Sequence, residues 1–444
     1  MFLFSKNQRR LLVSFAVFYF LLLIFCHFNS ARDPGSFFFR PEEGYRPHYS
    51  LRRIRESLEF VSRFNQSSAR PEQSLQNVTS GERAPTICVG IVTVKRPIQQ
   101  NLDTAVGSLL DGLSWEQRAN IVIHVLFALS NPSDHPDYQQ PWASNVIDRI
   151  LTYKNSGADV DKMERWERKK MIADKSLIDY QLSLKSCYED TKAPWILLLE
   201  DDVVAQREWY HHTMRSLETV KHWRSHGKIK DWLYLRLFYT EKFLGWNTEE
   251  WPTYLISSLA VISLVALTGV CARRRSWLMQ GILTNSFLAV VCLLYVPLLI
   301  GLYFLAGRVT VQPMRPGVHL MNSHGCCSQA LLFPREKAPL LIGHLEKMQR
   351  SGAEPVDSAI EILADQEGLD RWAISPSQVQ HVGAASYKEN RKSYELNGPY
   401  TVKGAHGVWS MGFEKAHEPP FGHPDASWME PIFFEPNIRV VEAG

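Results

Sequence analysis

The stretch Trp195-Ile196-Leu197-Leu198-Leu199-Glu200-Asp201-Asp202 decides how this chain is read. Its apolar part, rich in Ile and Leu, predicts a strand buried on both faces, as in a parallel sheet. Three consecutive carboxylates end the strand, and Val203-Val204-Ala205 leads into a helical pattern. Like charges this close repel one another, so the cluster needs a cation or strong donors beside it. Ligands of α/β sheets bind at the carboxyl edge of the strands. A hard divalent metal carrying phosphate oxygens is the natural guest at such an edge. The competing reading is a solvated turn, because carboxylates also favour helix starts.

Working outward, apolar strand patterns cover residues 86–94, 120–129, 194–199 and 231–238. Shorter ones cover residues 329–333 and 371–374. Helical patterns alternate with them: residues 102–113, one long amphipathic helix over 161–187, 208–226, a helix running through Met348, and 355–364. Upstream, Leu51, Ile54, Leu58 and Val61 recur at helical spacing with arginines on the other face. Strands alternating with helices imply a mostly parallel sheet covered on both faces, an α/β fold. The Gly-, Pro- and Trp-rich residues 397–444 read as an irregular tail.

Three apolar runs set the topology. Residues 11–28 follow Lys6, Arg9 and Arg10 and lack a small-residue cleavage site, which predicts an uncleaved signal anchor. Residues 254–271 and 277–305 are each long enough to cross a bilayer, and Arg273-Arg274-Arg275 lies between them. The positive-inside rule places residues 1–10 and the 272–276 loop in the cytosol. The stem at 29–85 and the two parts of the α/β domain, 86–253 and 306–396, then share the lumenal side. Asn65 and Asn77 head glycosylation sequons on that side. Cys88, Cys187, Cys326 and Cys327 would face an oxidising lumen, where disulfides are permitted, and their connectivity stays open. The formal charge of +3 on 444 residues is too balanced for a nucleic-acid binder. The spans carry no charged residue to line a transport path.

A transferase that uses a sugar nucleotide must hold the diphosphate, stabilise it as it leaves, and take a proton from the acceptor hydroxyl. By position Asp202 reaches the metal, while Glu200 or Asp201 addresses ribose or sugar hydroxyls. His381, flanked by a strand end and Gly383, is the candidate second ligand. A structural hydrogen-bonding role is its competing reading. The strand edge Thr93-Val94-Lys95-Arg96 sits where nucleotide base and phosphate are met, and two cations there complement a diphosphate. Asp357, in the first turn of a predicted helix, is the base candidate, against simple complementarity to the helix dipole.

The segments VGIVTVKRP (89–97), WILLLEDDVV (195–204), LYLRLFYTEKF (233–243), CCSQALLFP (326–334), the helix from Val356 to Ala364 and VQHVG (379–383) follow one another around the apolar hairpin. In that order they resemble the Golgi GPI-anchor side-chain N-acetylgalactosamine transferases, the three-span "post-GPI-attachment" family. The LEDD and QHVG segments are also similar to those of the branching N-acetylglucosaminyltransferase-IV type. The resemblance implies a GT-A fold split by a membrane hairpin, in a multi-pass Golgi protein with a lumenal catalytic domain. It implies a manganese-dependent, inverting transfer from UDP-GalNAc to the mannose of the GPI-anchor glycan, on GPI-anchored proteins or GPI lipid. It assigns Glu200, Asp201 and Asp202 to the donor-metal motif, makes His381 a candidate metal ligand and raises Asp357 as the base candidate. A GPI glycan lies within short reach of the bilayer, so a hairpin anchored inside the catalytic domain would hold the active site at that height. The alternatives are a hairpin that only retains the enzyme, a transferase of another sugar, and a non-catalytic GPI-recognition protein keeping the fold.

Overall fold

The computed structural model describes residues 4–65, 84–96, 99–321, 327–352, 354–383 and 408–415. It divides into two compact units. One comprises Met1–Arg46 and Glu241–Pro313, the other Pro47–Thr240 and Met314–Gly444.

The second unit is a mixed α/β fold. Strands β1 (Ile87–Thr93), β2 (Ile121–Phe127), β3 (Arg149–Thr152), β4 (Trp195–Glu200), β6 (Trp232–Arg236), β7 (Gly317–Leu320), β8 (Ala330–Pro334) and β9 (Asp370–Ser375) form an eight-stranded sheet. Its order is β3-β2-β1-β4-β8-β6-β9-β7. Strands β3, β2, β1 and β4 run parallel, β6 and β9 are parallel, and β8 and β7 are antiparallel to their neighbours. A two-stranded antiparallel ribbon pairs β5 (Val203–Ala205) with β10 (Val379–His381).

The central strands β1, β2, β4, β6 and β8 are buried on both faces because most of their residues are apolar. Ile87, Val89 and Ile91 of β1 and Trp195, Leu197 and Leu199 of β4 pack in one core. Cys88, Ile196 and Leu198, one residue along, pack in the other. That alternation is the two-residue repeat of a pleated strand. The first core takes in the Leu102–Leu110 and Trp209–Ser225 helices, and the second takes in Ile172–Asp190 and Val356–Glu367. A disulfide joins Cys88 of β1 to Cys187 of the Ile172–Asp190 helix. Cys327 is also disulfide-bonded.

Four local expectations need correction. The long helix over 161–187 is two helices, Val160–Lys169 and Ile172–Asp190. Lys170 turns left-handed between them (φ 54°), its N–H bonding Glu167 O while Met171 N–H bonds Trp166 O. These bonds close a Schellman motif that glycine usually supplies. Val203-Val204-Ala205 does not begin a helix, because its backbone groups pair with β10. The amphipathic reading of the Tyr49–Ser62 helix holds only in part: Val61 is in the core, Ile54 packs against buried residues and Arg52 and Arg55 are exposed, but Leu51 and Leu58 are 40% exposed while Arg53 is fully buried. Arg53 is tolerated inside because Asp111, Glu56 and the carbonyls of Ser108 and Ala205 take its donors. Within the tail, Val408–Lys415 packs inside the unit rather than wrapping irregularly: Trp409 and Phe413 are buried and Met411–Lys415 is a short helix.

The first unit holds three helices long and apolar enough to cross a membrane, within Lys6–Asn29, Glu241–Arg275 and Asn285–Leu305. The third apolar run begins later than its sequence suggests. Helix Trp277–Ile282 ends at Leu283, and Thr284 caps a new helix through its hydroxyl. At one end Gln8 donates to Ile282 O (2.7 Å) and Thr284 Oγ1 (3.0 Å), so the start of the first helix and the hairpin turn lie together. At the other end Asp33 accepts from Gly35 and Thr310 N–H (both 2.8 Å). There Trp246, Tyr254, Tyr303 and Phe304 make a ring cluster, the kind of aromatic belt found at membrane interfaces.

Candidate active site

The acidic cluster stands where β4 ends, beside the end of β1, because the two strands are parallel and in register from Ile87↔Trp195 to Val92↔Glu200. His381 reaches it from the other direction. In the antiparallel ribbon Val203 pairs with His381, and Val382 N–H bonds Asp202 O at 2.8 Å. A pairing of two three-residue strands therefore joins residues far apart in the chain.

The three carboxylates have three environments. Asp201 is 2% exposed and fully engaged. Its Oδ2 accepts from Thr93 Oγ1 (2.7 Å) and Val94 N–H (3.4 Å), and its Oδ1 from Arg96 Nε (3.1 Å) and Nη2 (2.5 Å). Asp202 is 3% exposed, and its Oδ2 faces Arg96 Nη1 (2.9 Å) and His381 Nε2 (3.2 Å). Its Oδ1 is buried with no hydrogen-bond partner among the described residues. Glu200 accepts from Ser328 Oγ at 2.9 Å and donates its backbone N–H to Gln329 O at 3.1 Å.

Their charges separate accordingly. Burial pushes the Glu200 carboxyl up to about 7, and the neighbouring Asp202 charge adds to this. Burial opposes ionisation of Asp202 as well, but Arg96 and then His381 outweigh it and hold that carboxyl well below its usual range. Burial would discharge His381, yet Asp202 keeps its imidazole above the ordinary value. Arg96 is thus the cation that the crowded carboxylates require.

Thr93, Val94, Arg96, Asp201, Asp202 and His381 come together in this constellation. Thr93 is buried with its hydroxyl committed to Asp201, and Lys95 is exposed. Asp357 lies in the first turn of the Val356–Glu367 helix and accepts from Ser358 N–H (2.9 Å), and among the described residues no hydrogen bond or ion pair ties it to the cluster. Asn65 is exposed, and Asn77 and Cys326 lie outside the described residues. Ser328, Gln329 and His135 were not singled out from sequence. His135 bonds Thr93 Oγ1 through Nε2 (2.9 Å), and its one sequence signal is its place beyond the carboxyl end of β2.

The residues also fit a divalent cation. Asp202 Oδ1 is a buried oxygen without a partner. On the Oδ2 side of the same carboxylate, Gly383 leaves open a space that a Cβ would fill, against Asp202 Oδ2 and 3.0 Å from His381 Nε2. Oxygen and imidazole donors together suit manganese and similar ions.

No curated protein matches the chain. The family model described as "GPI-N-acetylgalactosamine transferase PGAP4" matches residues 87–380, from the start of β1 into β10, so it takes in the acidic cluster and the apolar hairpin. A glycosyltransferase of this kind uses a UDP-sugar donor and a GPI acceptor. The chain belongs to the GPI-N-acetylgalactosamine transferase PGAP4 family, whose reaction is the transfer of N-acetylgalactosamine to the GPI anchor.

Proposed function

We propose that the α/β unit is a GT-A-type catalytic domain that binds UDP-GalNAc at the carboxyl edge of β1 and β4 in a metal-dependent, inverting transfer to a mannose of the GPI glycan. The observation that carries this reading is Asp202, whose Oδ2 faces His381 while its buried Oδ1 has no hydrogen-bond partner among the described residues, in a site where both oxygens of Asp201 are already engaged. Asp202 and His381 would hold the ion. When bound, a divalent ion such as Mn2+ neutralises charge developing on the departing diphosphate.

The chain's own groups supply the rest. The β1 edge, Thr93 to Arg96, borders the nucleotide, with exposed Lys95 available to phosphate. Glu200, whose carboxyl titrates near 7, both donates to and accepts from hydroxyls of the donor. The acceptor oxygen forms its bond to the sugar C1 as the bond from C1 to UDP breaks. Asp357, on a helix packed under the same sheet, takes the proton from that hydroxyl. The Cys88–Cys187 bond suits an oxidising compartment, and the cations at Lys6, Arg9, Arg10 and Arg273–Arg275 suit the cytosolic face. Both support a multi-pass protein, as in the Golgi, with residues 29–253 and 306–444 lumenal and the catalytic domain at 86–253 and 306–396 among them.

The purified full chain should transfer or hydrolyse UDP-GalNAc with Mn2+. Asp202→Ala should abolish turnover by at least about a hundred-fold, the effect of losing an essential electrostatic group. Unchanged turnover in that variant removes the metal assignment. Binding of GPI glycan without metal-dependent affinity for UDP-sugars would instead identify a recognition protein.

A further inference from the structure

His135 lies outside the acidic cluster, in the loop after β2, yet its ring is joined to the cluster through the Thr93 hydroxyl and also interacts with the Val94 backbone. The imidazole is 1% exposed and stands edge-on to Phe127, centroids 5.1 Å apart. Its Nδ1 accepts from Asp137 N–H at 3.1 Å, and its Nε2 lies 2.9 Å from Thr93 Oγ1. Thr93 Oγ1 in turn lies 2.7 Å from Asp201 Oδ2.

The directions of these bonds are fixed by chemistry. An ionised carboxylate only accepts, so Thr93 spends its one proton on Asp201. Thr93 Oγ1 must then accept from His135, which places the ring proton on Nε2. An N–H aimed at Nδ1 demands the same tautomer. Burial reinforces it: desolvation lowers the His135 pKa to about 4 despite the opposing pull of Asp201, so the ring is neutral. Asp201, held in this way, grips Arg96 by Nε and Nη2, and Arg96 has only Nη1 left for Asp202.

We infer that His135 is a positioning residue of the donor site: through the Thr93 hydroxyl it fixes the Asp201 carboxylate, and through Asp201 and Arg96 it keeps Asp202 Oδ1 free for a ligand. It touches neither substrate nor ion. The inference rests on the donor-site reading given above for Asp201 and Asp202, and two kinds of measurement separate the two.

In the first, the full chain in detergent is labelled with 15N-histidine, and the tautomer of His135 is read by nuclear magnetic resonance without any donor. The Nε2–H form is expected, with its signals shifted in Thr93→Val and retained in Thr93→Ser. A charged ring or an Nδ1–H form overturns the inference whatever the chain does with UDP-GalNAc. In the second, UDP affinity is measured by calorimetry with Mn2+ present, alongside KM and kcat for UDP-GalNAc. His135→Phe keeps the ring packing and removes the donor. It should weaken UDP binding and raise KM about ten-fold, the usual effect of losing a supporting hydrogen bond behind a ligating shell, with kcat changed much less. His135→Gln, whose amide N–H can replace Nε2–H, should recover most of that loss. The double variant His135→Phe with Thr93→Val should be no weaker than Thr93→Val alone, because both cut one chain. Additive losses, or His135→Phe binding as tightly as wild type, overturn the inference. Wild-type protein that binds no UDP-sugar overturns the proposed function and leaves the tautomer result standing.

Discussion

Arg96 shows how one residue can decide the state of a site. Two adjacent buried aspartates are tolerable because one guanidinium, 11% exposed, pairs with both. Removing it as Arg96→Met should lower the unfolding free energy of the metal-free protein by about 3–5 kcal/mol, the range for stranding a buried partner. Saturating Mn2+ should restore part of that loss, since an ion at Asp202 replaces the missing charge. Melting curves of Arg96→Met with and without Mn2+ check this, and identical curves would count against an ion at Asp202. Sequence made the acidic run legible, because crowded carboxylates after a buried strand are chemically unusual. It could not show that Arg96 answers them, since an Arg three residues past a strand end has many possible neighbours. His135 was less legible still: a lone histidine in a loop carries no periodicity, and only the fold reveals that Thr93 is its partner.

Elements were legible in proportion to their length and burial. The seven-residue strands β1 and β2 and the six-residue β4 announce themselves by long, mostly apolar runs. The ribbon of β5 and β10 does not, because three residues cannot display a repeat and their pairing spans most of the catalytic unit. Yet that ribbon is what delivers His381. The break at Lys170 was hidden for a different reason, as a residue with a side chain occupies a left-handed turn normally held by glycine. A non-glycine residue there costs about 1–2 kcal/mol. Lys170→Gly should therefore stabilise the protein by about 1 kcal/mol once the entropy lost by glycine is subtracted. Chemical denaturation of the two proteins measures it, and a destabilised Lys170→Gly would mean that the lysine side chain contributes more than its backbone costs.

On the scale of the whole molecule, acid should test the fold through its buried imidazoles. His124 is 3% exposed, with Nδ1 2.8 Å from Ser186 Oγ, and burial, aided by Arg149 and opposed by Asp190, lowers its pKa from 6.5 to about 4. Below 6.5 the unfolded chain takes up a proton that the native core refuses, so this group makes stability fall as pH falls from 6.5 towards 4. The loss approaches about 1.4 kcal/mol per pH unit for one such group. His124→Gln should lose less than wild type across that interval, and parallel stability curves for the two proteins would contradict the assignment. Within the catalytic unit the chain also closes on itself late. Glu414 accepts from the backbone N–H of His48 (2.8 Å) and Ser50 (3.2 Å), at the start of the Tyr49–Ser62 helix, and from Gln380 Nε2 (3.0 Å), next to His381. His48 and Glu414 are 366 residues apart, which at ribosomal speeds of about 5–20 residues per second is a wait of roughly 20 to 70 seconds. The first-made helix of this unit thus goes uncapped for nearly all of translation, and a nascent polypeptide truncated before residue 414 leaves the ribosome with its histidine-bearing ribbon unbraced.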